Sequence, residues 1–312
     1  MRWWTACRNA RPFRASGRAA DDQDRHPLPA DPDRFGAGRR SRFPQADRQN
    51  SGHSLAMTAL VTGGARRLGR AMVLELARRG HDVAIHCNDS RAEAEAVATE
   101  ARALGVKAQV FAADLLDADA TEALLPQVTA AMGPLSVLIN NASVFEHDDI
   151  RSATRDSWNR HVDSNLRSPF VLTQAFAAQA APADRRTAEP VAQAQVINMI
   201  DQRVLKPTPE FMTYAMAKAA LWWLTQTTAQ ALAPDIRVNA IGPGPTLQGG
   251  RQSQMHFAQQ RSATLLQRGA DPDDICAALA YLLQAKSVTG QLICVDGGQH
   301  LGWQTPDAVG VE

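Results

Sequence analysis

No apolar run in this sequence reaches the roughly 18 residues that a helix needs to cross a bilayer, so a membrane span is not expected. Cysteine is scarce: Cys7, Cys87, Cys276 and Cys294 lie far apart and form no Cys-x-x-Cys. That spacing argues against a disulfide framework and against metal binding, and for reduced thiols in the cytoplasm. Excess charge is nearly absent too. The net charge of +1 over 312 residues gives no electrostatic footprint for nucleic acid. Lysine and glutamate are missing from the first 56 residues, which carry 11 Arg against 6 Asp. Their net charge is therefore +5, which leaves −4 on the remainder.

Residues 1–56 also lack sustained hydrophobic periodicity, so they bury little and read as disordered. They contain no apolar core of a secretory signal. The acidic cluster Asp21, Asp22 and Asp24 speaks against an organelle transit peptide. They are read as a dispensable extension or a misassigned start, with Met57 opening the folded domain at 57–312. Their deletion is expected to leave activity and melting temperature unchanged.

What is present, from Met57 on, is alternation. Short apolar runs (TALVTG, HDVAIHC, VKAQVFAAD, PLSVLINNAS, AQVINMID, IRVNAIGPG, GQLICVDGG) are separated by stretches of helical pattern. The helices are expected at 67–79, 91–104, about 118–132, about 154–180, 210–232 and 272–283, with Asn88-Asp89-Ser90 offering an N-cap to the second. Strands without polar alternation, separated by helices, imply a parallel sheet covered on both faces. The fold expected is α/β: one doubly wound, seven-stranded Rossmann domain. Ligands of such sheets lie beyond the carboxyl ends of the strands. Thr62–Gly69, Asn88–Ser90, Asp114, Asn140–Phe145, Asp201 and Gly242–Thr246 all follow strand readings.

The turn TGGARRLG, at 62–69, joins the first strand to the first helix. Gly63 and Gly64 allow positive φ and close approach. The free N–H groups of the helix that follows attract a phosphate. Tyr214 and Lys218 are spaced i, i+4 and share a helix face. A tyrosine with a pKa of about 10 donates a proton poorly at neutral pH. A lysine ammonium within about 4–6 Å is expected to favour the phenolate and bring that pKa down.

TGGARRLG, Asp114, NNAS at 140–143, Asn165 and the Tyr214–Lys218 pair, with Asp201 thirteen residues before the tyrosine, together resemble the short-chain dehydrogenase/reductase family over essentially all of 57–312. The family's turn is TGxxxGxG; Gly63 and Gly69 match, and Arg67 replaces the middle glycine. The resemblance implies that the cofactor lies against Gly63, Arg66, Arg67 and Leu68, with its adenine near Asp114 and Leu115. It further implies contacts from Asn141, Ala142, Tyr214, Lys218, Pro243 and Gly244. Asn165 matches an asparagine that kinks a helix and anchors a water relay, and is placed with Tyr214, Lys218 and Asp201 in the catalytic group.

Asp201 stands where the wider family usually has a serine. An ionised carboxylate repels a developing oxyanion, whereas a carboxyl kept neutral by burial donates to it, or suits a nitrogen-containing substrate. Arg67, Phe145 and Asp201 occur together, which is similar to the pteridine reductases and dihydromonapterin reductases. In that reading Arg67, Ser143, Phe145, Asp201 and Tyr214 bind substrate: Phe145 stacks on a pterin ring, Ser143 bonds its edge, and Arg67 bridges a cofactor phosphate and the pterin carbonyl. Plainer readings stand beside these: Phe145 as a core aromatic, Arg67 as a solvated helix residue, Asp114 as a helix N-cap.

The second strand ends without the acidic residue that usually marks NAD, so NADP(H) is expected. Asn88 and Ser90 would take the 2′-phosphate, with charge from Arg66 or Arg67, while Asp89 opposes it. Residues at about 246–266 read as a substrate lid, with His256 and Phe257 facing substrate or solvent. Trp222 and Trp223 read as core or as subunit contact, the latter fitting the family's homotetramers. The function expected is NADPH-dependent reduction of a pterin-type C=N bond. The alternatives are a carbonyl or 3-oxoacyl reductase and a non-catalytic cofactor-binding protein.

Overall fold

The computed structural model describes residues 57–250 and 252–304; the readings made of 1–56 lie outside the described residues. The apolar runs become β1 (Thr58–Val61), β2 (Asp82–Cys87), β3 (Ala108–Ala112), β4 (Leu135–Asn140), β5 (Ala194–Met199), β6 (Ile236–Pro243) and β7 (Leu292–Val295). All pair in parallel, in the order β3-β2-β1-β4-β5-β6-β7. Every residue of β1 and β5 is buried, which is why these strands lack polar alternation.

Helices α1 (Arg67–Arg78), α2 (Arg91–Ala103) and α8 (Pro272–Gln284) close one face. Met72, Val73 and Leu76 of α1 and Ile275 and Leu279 of α8 pack there on Val61, Ile85 and Ile139. Helices α3 (Ala118–Met132), α5 (Ser168–Gln179) and α6 (Met212–Leu232) close the other, where Leu124, Leu172 and Phe176 meet Leu60, Leu138 and Val196. Strand order reverses between β1 and β4, so the two strands diverge into helices on opposite faces and leave a crevice at their carboxyl ends.

One expected helix is broken. The span 154–180 holds α4 (Arg155–Val162), a π-helical turn at Asp163–Arg167, and then α5. The Ser168 N–H reaches Asp163 O, five residues back. Pro169 has no N–H to give, and the Asn165 side chain is turned to another segment, so the ladder is wide where the chain passes the crevice. Ser90 does occupy the N-cap of α2, but its side chain caps nothing: its φ of −81° and ψ of 47° are not the extended values that aim a hydroxyl at the first turn. Asp114 is not a helix cap either. Its Oδ1 accepts from Leu116 N–H, and Asp117 caps α3. The segment after β6 contains a helix, α7 (Gln254–Ser262), with no buried residue.

Candidate active site

Strand β1 delivers Thr62 and Gly63 to the crevice. Gly63 has φ +62°, and a Cβ there would stand 3.1 Å from Ala142 Cα. A Cβ on Gly69 would meet Gly63 O at 2.0 Å, so this glycine lets α1 rest on the turn. The first turn of α1 has no side-chain cap and no acidic residue, which leaves its free N–H groups and positive dipole for an anion. Asn141 braces the turn: its Nδ2 donates to Thr62 O at 2.8 Å and Gly63 O at 3.2 Å. The Thr62 hydroxyl oxygen in turn accepts from the N–H groups of Asn141 and Ala142.

A residue the sequence reading missed holds the other side. Gly63 N–H donates to His86 Nδ1 at 3.0 Å, so the ring proton sits on Nε2, 3.0 Å from Ala113 O. Burial pushes the His86 pKa down and keeps the ring neutral, as this double role requires. The available signal was a histidine inside an otherwise apolar buried strand.

Arg67 has φ +53°, left-handed for a residue with a side chain. Its guanidinium does not lie along the turn. It crosses to the segment after β6 and donates to Leu247 O and Gln248 O. Arg67 is an exposed residue at the start of α1, as the plainer reading had it, but its basic head is bonded to the segment after β6 instead of standing free in solvent. Arg66 is paired with Glu93.

Across the crevice, Tyr214 and Lys218 are both buried on α6. Tyr214 Oη donates to Asp201 Oδ2 at 2.9 Å. Asp201 Oδ1 accepts from Arg203 N–H at 2.9 Å, and Lys218 Nζ donates to Met199 O at 2.8 Å. Burial pushes the Asp201 carboxyl up, against opposing effects of Arg203, Tyr214 and Lys218. The expected lowering of the Tyr214 pKa is not what this arrangement produces. Burial and then the Asp201 carboxylate push it well above 10, and the Lys218 ammonium lies 5.7 Å from the ring centroid while bonding a carbonyl. Burial lowers Lys218 from 10.5 to about 8.

Asn165 is wholly buried. Its Oδ1 accepts from the Ser143 hydroxyl at 2.6 Å and its Nδ2 donates to Val144 O at 2.9 Å. It therefore fixes the segment carrying Ser143 and Phe145. Phe145 is not a core aromatic: it is 44 % exposed, stacks on Phe211 at 4.4 Å and meets Tyr214 edge-on at 4.7 Å. Phe211 was missed, because its left-handed φ of +55° has no sequence signal.

The cleft so formed has a volume of about 1200 Å³ and is lined by every predicted binding residue except Ser90. Asp89 lines it beside Asn88, and His256 and Phe257 close it from α7. Asn165 stands behind the wall. Trp222 packs toward the interior beside Leu221, whereas Trp223 is 66 % exposed.

A doubly wound sheet with an uncapped anion-binding turn facing a buried Tyr–Lys pair is the framework of a nucleotide-dependent oxidoreductase. The chain belongs to the short-chain dehydrogenase family, whose sequence model matches residues 57–257. It is 31% identical to the 3-oxoacyl-[acyl-carrier-protein] reductase FabG of Staphylococcus aureus, over 79% of this chain and 99% of that one. Among solved structures it resembles FolM alternative dihydrofolate reductase 1 of Brucella canis, complexed with NADP, at 42% identity and a TM-score of 0.74, covering 81% and 98% of the two chains. The Brucella suis protein of the same name, also with NADP, gives 43% identity and a TM-score of 0.75 over 80% and 98%.

Proposed function

We propose that this protein is an NADPH-dependent reductase of a pterin-type C=N bond, with a dihydropteridine, dihydromonapterin or dihydrofolate as substrate. The observation that carries the reading is the Asp201–Tyr214 hydrogen bond beside the exposed face of Phe145. Burial raises the Asp201 pKa and so favours the protonated carboxyl, an O–H donor suited to a ring nitrogen or its adjoining carbonyl. The likeness to two dihydrofolate reductases at above 40% identity supports the same substrate class.

The uncapped first turn of α1 and the close-packed Gly63 fit a pyrophosphate, and Asp114 and Leu115 line the end of the cleft where an adenine would lie. NADPH, when bound, supplies the hydride. Tyr214 Oη gives the proton to the nitrogen of the reduced bond, and Asp201, at 2.9 Å, returns a proton to the phenolate or holds the substrate edge. In this reading the Lys218 ammonium, 5.7 Å from the centroid of the Tyr214 ring, counters the phenolate charge as it forms. Phe145 offers a stacking face worth about 0.5–1.5 kcal/mol beyond area burial. NADPH is preferred to NADH in this reading through Asn88 and the Arg66–Arg67 pair. Asp89 and the Arg66–Glu93 ion pair work against it, and the ratio of kcat/KM for the two cofactors decides.

Purified protein is expected to oxidise NADPH with at least one of dihydrobiopterin, dihydromonapterin or dihydrofolate. Turnover of none of them would sink the reading. The likeness to FabG supports the second reading, a 3-oxoacyl or carbonyl reductase, for which ketone turnover unaffected by pterins would speak. A homotetramer in the cytoplasm completes the proposal. Trp223 and Met216, both exposed on α6, supply apolar surface for a subunit contact, and light scattering of the purified protein gives the mass.

A further inference from the structure

Behind Tyr214 lies a closed chain of polar side chains from three separate elements. His161 of α4 is 0% exposed, Asp148 of the segment after β4 is 2%, and Thr213 of α6 is 3%. Groups so buried are expected to be fully bonded, and these are. The N–H of Glu146 donates to His161 Nε2 at 3.0 Å. The ring proton therefore belongs on Nδ1, 2.6 Å from Thr213 Oγ1. The Thr213 hydroxyl donates in turn to Asp148 Oδ2.

Helix α6 explains why the chain exists. Its N-cap is Phe211, left-handed and without a capping bond. The missing partners come from Asp148: Oδ1 accepts from Thr213 N–H at 3.1 Å, and its backbone O accepts from Met212 N–H at 3.2 Å. A carboxylate at this end also meets the positive pole of the helix. Segment 144–148 and the first turn of α6 are thus joined at several points. One bears Phe145, the other Tyr214 in the residue after Thr213, with the two rings 4.7 Å apart.

We infer that His161, Thr213 and Asp148 form a positioning device that sets the gap between the Phe145 ring and the Tyr214 hydroxyl, and so the fit of the substrate. None of the three lines the cleft, so they act through Phe145 and Tyr214. The inference rests on Tyr214 as proton donor and Phe145 as substrate wall. It does not depend on which substrate is turned over.

The device has one weak point, the His161 ring. It is faced by Asp148 and Glu146 from the loop, by Arg160 on its own helix and by the Tyr214 ring at 6.0 Å from α6. Burial and Arg160 disfavour the imidazolium, and the two carboxylates favour it; the balance lies below 6.5. Protonation would put a donor on Nε2 opposite the Glu146 N–H. That bond would be lost, and the segment carrying Phe145 would be held to α4 through side chains such as the Arg160–Glu146 pair, with its backbone free to shift at Glu146.

Thr213→Val removes the hydroxyl and keeps the shape; Thr213→Ser restores it. With any substrate the wild type reduces, Thr213→Val is expected to raise substrate KM about tenfold, with NADPH Kd held within about twofold, because only the substrate wall is altered. Thr213→Ser should return KM to near the wild-type value. Equal rises in KM and Kd, or no rise, overturn the inference. Nitrogen NMR of the wild type supplies the second readout. A neutral His161 with its proton on Nδ1, lost as pH falls together with a rise in substrate KM, is expected. A proton on Nε2 overturns the wiring, even if no pterin is turned over or Thr213→Val does not fold.

Discussion

The Arg67 guanidinium donates to the backbone carbonyl of Gln248 at 2.7 Å and, through its other terminal nitrogen, to that of Leu247 at 3.0 Å. A residue of the phosphate turn thereby holds the segment that leads to α7. Two charge-assisted bonds of this kind are worth about 1.5–3 kcal/mol each at most, less here because the side chain is exposed. Arg67→Gly should raise KM for a pterin about tenfold and leave KM for a simple ketone much less changed. The same change relieves a left-handed backbone that costs a residue with a Cβ about 1 kcal/mol, so the melting temperature should hold or rise. Equal KM effects on both substrates would remove the special role of this arginine.

Asp201 and Tyr214 share one hydrogen bond, yet their substitutions should differ. Tyr214→Phe removes the proton donor and is expected to lower kcat at least about 100-fold, in line with general acid catalysis, with NADPH binding intact. Asp201→Asn keeps a donor at the carboxyl position and should cost less than about tenfold, whereas Asp201→Ala leaves none and should approach the tyrosine variant. An asparagine variant as poor as the alanine one would mean that the ionised carboxylate, not the neutral acid, is needed. Unchanged turnover in Tyr214→Phe would point to a cofactor-binding protein without this chemistry.

The strands and the loops after them were legible because parallel strands buried on both faces must be continuous apolar runs, and because a doubly wound sheet puts its ligand at one end. Tyr214 and Lys218 were legible because i, i+4 is a local relation. The target of Arg67 was not: its partner is 181 residues away and is a backbone carbonyl, which any residue type can supply. The π-helical turn depends on Asn165 reaching Val144, 21 residues back, and on Pro169 withholding an N–H. Tyr214 was misjudged because its local partner, Lys218, could be read from spacing, while burial and the carboxylate of Asp201 act through the fold.

Among the described residues, three buried histidines make acid a specific threat. His81, His86 and His161 all have pKa values lowered below 6.5, chiefly by burial. Below pH 6.5 the unfolded chain binds protons that the native state refuses. Stability therefore falls as pH drops from 6.5 toward each native pKa, by up to about 1.4 kcal/mol per pH unit per ring. Asp201, with its pKa raised from 3.8, acts in the opposite sense, and Asp148, with a lowered one, adds acid lability only below about 3.8. The melting temperature should drop between pH 6.5 and 5, and His86→Gln should show a shallower drop. A flat profile in that window would mean that the rings are protonated in the native state.

Lys218 sets the alkaline limit. Its native pKa of about 8 lies below the ordinary 10.5 because burial disfavours the ammonium, with Asp201 only partly restoring it. In the proposed mechanism activity needs that ammonium, since a neutral amine cannot stabilise the Tyr214 phenolate as the proton leaves. The kcat/KM of the free enzyme should therefore fall above pH 8. Stability should move the other way. Between about 8 and 10.5 the unfolded state holds a proton on this lysine that the native state has lost, so this group adds stability as pH rises through that window. The divergence separates titration of Lys218 from general alkaline unfolding, which would lower both together. Lys218→Met should abolish the alkaline limb, with residual activity at least about 100-fold down. An alkaline limb that persists in Lys218→Met would assign it to another group.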